Sequence, residues 1–329
     1  MQLGVGVIGA GVMGSDHARL IRSEISGARL VAVADADAGR AASAAEGAWT
    51  TTDPFELIAR DDVEAVIIAS PDAAHADQVL ACIAAGKPVL CEKPLSPDVA
   101  ECAKIVAAEK ASGLFLVTLG FMRRFDPAYR EIRAALKSGE LGPLRVLHNV
   151  HRNQFVPHWF TDDMAVMSSF VHEIDITRWL LGSDPEAASV FRAGGTAGAA
   201  RGPGDPLMIM LEMPGGALVS TEVFIDARYG YHVHAEAVCA EGTIAMAEPA
   251  LTRTRSGLAQ RAAYPSDWIP RFAEAYRRQD QAWVDAVRKG IRTPEAATAE
   301  DGLMATHVGR QVIEAMQSGS RKTLVAPAI

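Results

Sequence analysis

The sequence predicts an α/β protein of two domains, an N-terminal doubly wound sheet followed by an α+β domain. Its 329 residues are about twice a typical domain of roughly 150 residues. Up to residue 120, short apolar runs alternate with helical patterns, which is typical of a parallel sheet covered by helices on both faces. Beyond it, strand-like runs follow one another through turns, which indicates an antiparallel or mixed sheet. We therefore expect domains over residues 1–120 and 121–329.

The elements of the N-terminal domain are predicted from apolar runs and from the residues that end them. Strands are expected at Leu3–Ile8, Arg29–Ala34, Ala65–Ala69, Pro88–Cys91 and Leu114–Leu119. Helices are expected at Val12–Arg22, Phe55–Ala59, Ala73–Ala85 and from Ser96 to about Lys110. Asp53-Pro54 and Ser96-Pro97 each have the pattern of an N-cap followed by proline at the first helical position.

The C-terminal domain begins with a helix from Asp126-Pro127 to Ser138. Strands are expected at Arg145–His151, Ala188–Phe191, Leu207–Met213, Ala217–Ile225 and His232–Ala240, and two late helices at Phe272–Lys289 and Asp301–Gln317. Pro214-Gly215-Gly216 indicates a hairpin between two of these strands. The stretch Ala193–Pro206, rich in Gly, Pro and Ala, predicts an exposed loop.

The composition argues against several classes of partner. The net charge is −8, and Lys and Arg form no long run, so we expect neither nucleic-acid nor membrane binding. The longest mostly apolar run, Leu114–Met122, is far shorter than the roughly 20 residues that span a bilayer. Because an apolar strand begins at Leu3, we expect no signal peptide. Four cysteines without CxxC spacing indicate neither a disulfide framework nor a zinc site, and these features favour the cytoplasm.

A glycine motif lies where the first strand passes into the first helix. Gly9, Gly11 and Gly14 form a complete GxGxxG, whose glycines allow a tight turn, the approach of a pyrophosphate and close packing of helix on strand. The N–H groups at the start of the helix then bind the pyrophosphate. Asp35 ends the second strand, where a carboxylate accepts hydrogen bonds from the adenine ribose. Together these features predict a dinucleotide-binding Rossmann domain rather than an accidental glycine-rich turn.

Asp35 also bears on which dinucleotide binds. A carboxylate repels a 2′-phosphate, and the next basic residue, Arg40, lies five positions on without being an expected partner. We therefore expect NAD rather than NADP. Asp37 is the alternative ribose ligand, and Val12 and Met13 within the motif are further residues expected at the cofactor.

Six segments carry a resemblance to a known family. They are Gly9–His17 (GAGVMGSDH), Ala85–Leu95 (AGKPVLCEKPL), Gly120–Tyr129 (GFMRRFDPAY), His151–Asn153 (HRN), Val171–Leu181 (VHEIDITRWLL) and Tyr229–Tyr231 (YGY). With them the chain, over essentially its whole length, resembles the Gfo/Idh/MocA family of oxidoreductases, and within it the inositol dehydrogenase branch. The resemblance implies an open, largely antiparallel C-terminal sheet that supports a homotetramer. It also implies NAD-dependent oxidation of a polyol or sugar.

The resemblance also implies roles for particular residues. Lys93 and His172 fall on the catalytic positions of the family. Positions that line the substrate pocket of the inositol branch are occupied here by Arg123, His151, Asn153 and Tyr231. Inositol dehydrogenases usually carry Asp four residues before the histidine, where this chain has Ser168, and this departure bears on the substrate and on the proton relay.

The predicted chemistry is the removal of a hydride and a proton from a secondary alcohol. An imidazole suits the proton because its pKa lies near neutrality, and His172 lies in a helical pattern with Ser168 at i−4 and Asp175 at i+3. Lys93 follows a buried strand at the carboxyl edge of the sheet, where ligands bind in doubly wound folds. Its ammonium can stabilise an alkoxide.

Other residues at the same edge complete the predicted cofactor site: Ser70, His75 and Glu92. The alternatives are structural. Ser70 and His75 also fit a simple helix entry, Tyr231 an ordinary core aromatic, and Glu92 a salt-bridge partner for an exposed Lys93. Arg124 is expected in a surface or interdomain ion pair, and no spacing of His, Cys, Asp or Glu indicates a metal site.

We consider three candidate functions on the basis of these observations. The first is a dehydrogenase of myo-inositol, with glucose, other inositol isomers or anhydrosugars as alternative substrates because of Ser168. The second is a non-catalytic NAD-binding sensor, which would tolerate the loss of Lys93 and His172. A methyltransferase with a glycine-rich loop is disfavoured by Glu92–Pro94 and by the second domain.

Overall fold

The computed structural model describes residues 2–193, 206–247 and 253–327. Apart from its two ends, the loop predicted at Ala193–Pro206 lies outside the described residues. The chain divides into two compact units. The first contains the residues up to Phe125 together with Glu274–Thr306, and the second contains Asp126–Ala273 and the residues from His307 on. The predicted boundary at residue 120 did not anticipate that residues 274–306 return to the first unit.

A six-stranded parallel sheet forms the centre of the first unit, in the order β3-β2-β1-β4-β5-β6. Its strands are β1 (Leu3–Ile8), β2 (Ala28–Ala34), β3 (Trp49–Thr51), β4 (Ala65–Ile68), β5 (Val89–Cys91) and β6 (Val117–Leu119). The helices are α1 (Val12–Ser23), α2 (Ala38–Ala45), α3 (Pro54–Ala59), α4 (His75–Ala84) and α5 (Val99–Ser112). Every residue of β1 and β4 is buried, as expected for strands covered on both faces. The strand order reverses between β1 and β4, where doubly wound folds bind ligands.

Local signals place four of these five helices, whereas α2 was not predicted and one helix start is wrong. The Asp53 carboxylate accepts a hydrogen bond from the N–H of Phe55, with Pro54 at the first helical position as predicted. The predicted N-cap at Ser96 is wrong. Asp98 caps α5 by accepting from two backbone N–H groups, while Ser96 is fully buried. The hydroxyl of Ser96 accepts the N–H of Asp98 at 3.1 Å, ahead of the helix, which begins two residues after Pro97.

A seven-stranded mixed sheet forms the centre of the second unit, in the order β12-β11-β7-β10-β9-β8-β15. Its strands are β7 (Leu144–Arg152), β8 (Ala187–Arg192), β9 (Leu207–Glu212), β10 (Leu218–Phe224), β11 (His232–Cys239), β12 (Thr243–Ala245) and β15 (Lys322–Thr323). Only β7 and β10 pair in parallel, and all other neighbours are antiparallel. Pro214–Gly216 connects β9 to β10, as predicted. A separate hairpin, β13 (Arg253–Ser256) and β14 (Ala259–Ala262), is exposed throughout.

Burial alternates along the central strands of the mixed sheet, β7, β9, β10 and β11. On β7, Leu147, Asn149 and His151 are buried, and the residues between them retain exposure. The same alternation holds on β11. One face therefore belongs to the core of the unit, and the other face is open in the isolated chain.

The remaining helices are α6 (Pro127–Ser138), α7 (Asp162–Met164), α8 (Val171–Leu181), α9 (Trp268–Lys289) and α10 (Ala299–Ser318). A π-helical segment, Ala165–Phe170, joins α7 directly to α8. The backbone of α9 is kinked at Phe272, the residue at which the sequence placed its start. No helix in the described part of the chain combines the length and apolarity that crossing a bilayer requires.

Candidate functional site

The glycine motif forms a close contact between β1, α1 and the end of β4. Gly9 has φ +88°, and a Cβ there would lie 2.5 Å from the carbonyl oxygen of Ala69. A Cβ on Gly14 would lie 1.6 Å from the carbonyl oxygen of Gly9. At Gly11, by contrast, a Cβ would meet nothing within 4 Å. Gly9 and Gly14 are therefore required for packing, whereas Gly11 leaves the backbone open to an incoming ligand.

The start of α1 fits a pyrophosphate. No side chain caps this terminus at Gly11, and no acidic residue lies in the first turn. Val12 is 63% exposed, and Met13 beside it is partly buried. The start of this helix and the positive end of its dipole thus suit an anionic group. These residues can hold the dinucleotide that the motif predicts.

Asp35 is fixed more firmly than the sequence indicated. Its Oδ2 accepts the N–H of Ala10 at 2.7 Å, and its Oδ1 accepts the N–H of Asp37 at 2.8 Å and Nη2 of Arg40 at 2.8 Å. Burial alone would raise the pKa of Asp35, but Arg40 and these N–H groups hold it below its usual value. The expectation that Arg40 is no partner of this carboxylate is wrong, because the side chain of Arg40 folds back from α2 onto Asp35. Asp37 instead caps α2.

His75 links two loops at the carboxyl edge of the sheet. Its Nε2 lies 2.9 Å from the carbonyl oxygen of Ser70, and its Nδ1 lies 2.7 Å from that of Pro94. The ring is almost fully buried. The hydroxyl of Ser70 donates to Oε1 of Gln78 at 2.7 Å. These contacts hold the loops after β4 and β5 together, which accords with the structural alternative; a contact of either side chain with cofactor stays a prediction.

Glu92 and Lys93 follow β5 at the same edge. Oε2 of Glu92 accepts the backbone N–H of Lys93 at 3.3 Å. Lys93 is only partly exposed, and burial lowers the pKa of its ammonium, against the opposing charges of Glu92 and Asp72. Arg123 lowers it further. Lys93 is therefore not the exposed lysine of the structural alternative.

Arg123 and Arg124 lie in a 3₁₀ turn, Met122–Phe125, after β6. Both arginines are buried, with 1% and 5% exposure. Nη1 of Arg124 lies 3.2 Å from Oδ2 of Asp301 and donates to the carbonyl oxygen of Ala296. The predicted surface or interdomain ion pair of Arg124 is thus a buried pair inside the first unit.

In the second unit, three of the predicted residues come together. His151 on β7 is buried, and its ring centroid lies 6.3 Å from that of His172 and 5.9 Å from that of Tyr231. Tyr231 precedes β11 and also packs its ring edge against Phe272. Nδ1 of His151 lies 3.2 Å from Oε1 of Glu173, which is almost fully buried. The buried face of the mixed sheet thus holds an aromatic and imidazole cluster beside the start of α8.

Ser168 does not lie on an ordinary α-helical turn before His172. It belongs to the π-helical segment, in which the backbone bonds span five residues rather than four. The ordinary α-helical turn expected before His172 is therefore a wider π-helical turn, in which Ser168 is partly exposed, and Asp175 is buried on α8. The backbone N–H of Asn153, the residue after β7, donates to the carbonyl oxygen of Phe224 at 2.9 Å. This bond continues the pairing of β7 with β10.

Two groups of residues were missed by sequence reasoning. His17, Glu92 and Asp280 form a buried cluster in the first unit, and Glu173 pairs with His151 in the second. His17 occurs within the GAGVMGSDH segment, but no local signal pairs it with a residue 263 positions later. Among the described residues, no three His, Cys, Asp or Glu side chains are arranged to hold a metal ion.

Comparison with family models gives matches to both parts of the chain. A model described as an oxidoreductase family with an NAD-binding Rossmann fold matches residues 3–121. The GFO/IDH/MocA C-terminal domain matches residues 129–245. The N-terminal match confirms the predicted class of dinucleotide-binding domain.

Comparison with individual proteins gives similarity along the whole chain. The chain is 45% identical to inositol 2-dehydrogenase 1 of Saccharopolyspora erythraea, over 97% of this chain and 96% of that protein. It is 43% identical to inositol 2-dehydrogenase 2 of Paenarthrobacter aurescens, over 99% of each. The crystal structure of myo-inositol dehydrogenase from Lactobacillus casei, in complex with NAD(H) and myo-inositol, matches with a TM-score of 0.95 at 28% identity, covering 100% and 98% of the two chains. The fold class predicted from the sequence and NAD as the dinucleotide are confirmed.

Proposed function

Because this chain belongs to the GFO/IDH/MocA family of oxidoreductases, we propose that it is an NAD-dependent dehydrogenase of a cyclitol. The substrate is myo-inositol, and the product is the 2-keto-inositol. The observation that carries the substrate is the near-full-length identity with relatives that are named inositol 2-dehydrogenases. The buried histidine and tyrosine cluster on the mixed sheet adds polar and aromatic surface suited to a ring polyol.

The first unit holds the cofactor. The N–H groups at the start of α1 bind the pyrophosphate across the open backbone at Gly11, and Asp35 accepts hydrogen bonds from the adenine ribose. Ser70, His75 and Glu92 shape the edge of the sheet on which the nicotinamide end rests. When bound, the nicotinamide ring supplies the hydride acceptor for the oxidation.

The proton and the oxygen of the reacting hydroxyl are handled by two side chains. His172 accepts the hydroxyl proton through its imidazole as general base. The ammonium of Lys93 stabilises the negative charge that develops on the same oxygen as the proton leaves. Substrate hydroxyls are bound by the polar groups of Arg123, His151, Asn153, Ser168 and Tyr231.

The protein acts in the cytoplasm as a homotetramer, assembled through the open face of the mixed sheet. Support comes from large apolar side chains on its strands, such as Phe191, Met208 and Leu218, which are between 36% and 60% exposed. Arg152 and Glu222 neutralise each other there through two hydrogen bonds of 2.7 Å. Light scattering coupled to size exclusion should give about four times the 34.9 kDa chain mass. A monomer at micromolar concentration would contradict this assembly.

A substrate screen tests the activity. Cyclitols and aldoses are incubated with NAD, and the reduced cofactor is followed by absorbance. We expect the highest kcat/KM with myo-inositol. Binding of NAD without oxidation of any cyclitol or aldose would contradict the proposal and favour a redox sensor.

Substitution of the two reacting side chains tests the mechanism. Lys93→Ala and His172→Ala should each lower kcat severely, by about 10²–10⁴-fold for the histidine, with little change in the dissociation constant of NAD. Lys104→Ala, on the exposed side of α5, is the matched lysine control and should leave kcat unchanged. Near wild-type kcat in either active-site variant would show that its role is wrong.

A further inference from the structure

A buried charged cluster lies beneath Lys93 in the first unit. His17 on α1 is completely buried, and its Nδ1 lies 2.8 Å from Oδ2 of Asp280 on α9. Its Nε2 lies 3.1 Å from Oε1 of Glu92. The ring of Tyr276 packs against that of His17 in a T-shaped arrangement, with ring centroids 6.0 Å apart. Both nitrogens of the imidazole therefore face carboxylates, and solvent is excluded.

This geometry favours a protonated histidine. Burial alone would lower the pKa of His17, but Asp280 and then Glu92 outweigh burial and raise it well above its usual value. The imidazolium donates Nδ1–H to Asp280 and Nε2–H to Glu92. Burial raises the pKa of Asp280, and the positive charge of His17 opposes that rise.

Glu92 connects the cluster to Lys93. One carboxylate oxygen, Oε1, faces His17, and the other accepts the backbone N–H of Lys93. Gly120 packs on this carboxylate, because a Cβ there would lie 3.1 Å from both Cδ and Oε1 of Glu92. The carboxylate is thus held from three sides, by a cation, by a backbone donor and by a residue without a side chain.

We propose that His17 and Asp280 are positioning residues that hold the Glu92 carboxylate beside Lys93 and so maintain its side chain as an ammonium; this rests on the role proposed above for Lys93. Neither residue touches substrate or cofactor in this scheme. Asp280 orients His17, His17 orients Glu92, and Glu92 supplies the negative charge next to the reacting lysine.

Stability alone is a weak explanation for such a cluster. Removing each ion from water costs several kcal/mol, and buried ion pairs replaced by apolar residues of similar volume are often as stable or more so. A cluster of three ionisable groups, of which His17 and Asp280 have no solvent access, is better explained by the charge that Glu92 presents next to Lys93.

The charges around Lys93 determine the direction in which its pKa moves when the Glu92 carboxylate is displaced. Within the first unit they come from three places: Glu92 beside it, Asp72 after β4 and Arg123 after β6. Burial and Arg123 lower the pKa of Lys93, whereas Glu92 and Asp72 raise it. The ammonium is lost as the pH rises through this pKa, so displacing the Glu92 carboxylate moves its loss to lower pH. The alkaline limb of kcat/KM should therefore move to lower pH.

The test compares pH profiles of kcat/KM for four variants. Glu92→Gln removes the carboxylate charge and should move the alkaline limb to lower pH by about one pH unit or more. This is the largest shift expected among the four variants. His17→Gln and Asp280→Asn keep the side-chain volume and should shift the alkaline limb in the same direction by a smaller amount. Gly120→Ala leaves all three ionisable residues in place and displaces the carboxylate by a few tenths of an ångström, so it remains informative if the buried variants do not fold.

A matched control separates positioning from destabilisation. The hydroxyl of Thr118 forms a buried hydrogen bond with that of Thr293 at 3.2 Å in the same unit, and both side chains are uncharged. Thr118→Val should lower the melting temperature without moving the alkaline limb. If His17→Gln, Asp280→Asn and Gly120→Ala behave like this control, the proposal is overturned.

A second measurement does not depend on catalysis. The rate at which acetic anhydride acetylates Lys93, followed by mass spectrometry across a pH series, reports the protonation of its amine directly. We expect amine reactivity to appear at lower pH in Gly120→Ala and His17→Gln than in wild type. An unmoved profile refutes the positioning role even if the enzyme oxidises inositol. A moved profile in a protein that oxidises no cyclitol refutes only the proposed function.

Discussion

Replacing Asp35 with serine should raise KM for NAD and weaken the preference for NAD over NADP. The carboxylate that would bind the adenine ribose is almost buried and is held by Ala10, Asp37 and Arg40. Serine removes its charge and releases Arg40, which is 58% exposed and can turn to a 2′-phosphate.

The size of the effect follows from the hydrogen bonds that are lost. A hydrogen bond to a charged group contributes about 1.5–3 kcal/mol, and about 1.4 kcal/mol corresponds to a factor of ten. KM for NAD should therefore rise about 10- to 100-fold. Since the repulsion of the 2′-phosphate disappears, kcat/KM for NADP should stay the same or increase, and the ratio of the two specificity constants should narrow at least tenfold.

Steady-state kinetics with both cofactors test this reasoning. Asp35→Asn is the matched control, because it removes the charge but can still accept the N–H of Ala10 and keep the glycine loop in place. In Asp35→Ser/Arg40→Ala any gain with NADP should be lost. A KM for NAD within about twofold of wild type in Asp35→Ser, with an unchanged melting temperature, would refute the ribose role.

Two further predictions concern folding and the loop that binds the cofactor. Gly14→Ala should lower the melting temperature strongly, because its Cβ would lie 1.6 Å from a backbone oxygen, whereas Gly11→Ala should fold normally and raise KM for NAD; equal melting temperatures of the two variants would contradict this. Asp98→Ala should reduce the free energy of unfolding by about 1 kcal/mol through loss of the α5 N-cap, with no change in KM, as chemical denaturation and kinetics can show.

The N-terminal domain was predictable because its signals are local. Buried strands are continuous apolar runs, and Asp53-Pro54 marks a helix start by its own chemistry. The elements that were missed or misplaced are those whose local signals are weak or ambiguous. Helix α2 (AGRAASAA) has too few large apolar residues to show a periodicity, and β3 is largely exposed. Ser96 and Asp98 are both residue types that cap helices, and in the structure the Asp98 carboxylate accepts the first helical N–H groups while the Ser96 hydroxyl bonds to the N–H of Asp98.

The site was predictable where a residue's position in the chain fixes its position in the fold. Lys93 and Asp35 lie at the carboxyl edge of the parallel sheet because each follows one of its strands. Contacts between distant segments have no such signal. The contact of His17 with Asp280 depends on which helices pack together. The contact of Arg40 with Asp35 is local in sequence, but it depends on a rotamer that the sequence does not specify.

A buried carboxylate in the second unit bears on Ser168, the residue that departs from the family pattern. Glu173 places a buried carboxylate on His151, whose ring lies 6.3 Å from that of His172. The charge that an aspartate at 168 would bring is therefore partly present nearby.

A carboxylate favours the protonated imidazole, and a general base must be neutral to act. Ser168→Asp should therefore move the acidic limb of kcat/KM to higher pH, and Glu173→Gln should move it to lower pH. Ser168→Asn is the uncharged control and should leave the limb in place. If neither charged change moves the acidic limb, no carboxylate at these positions tunes His172.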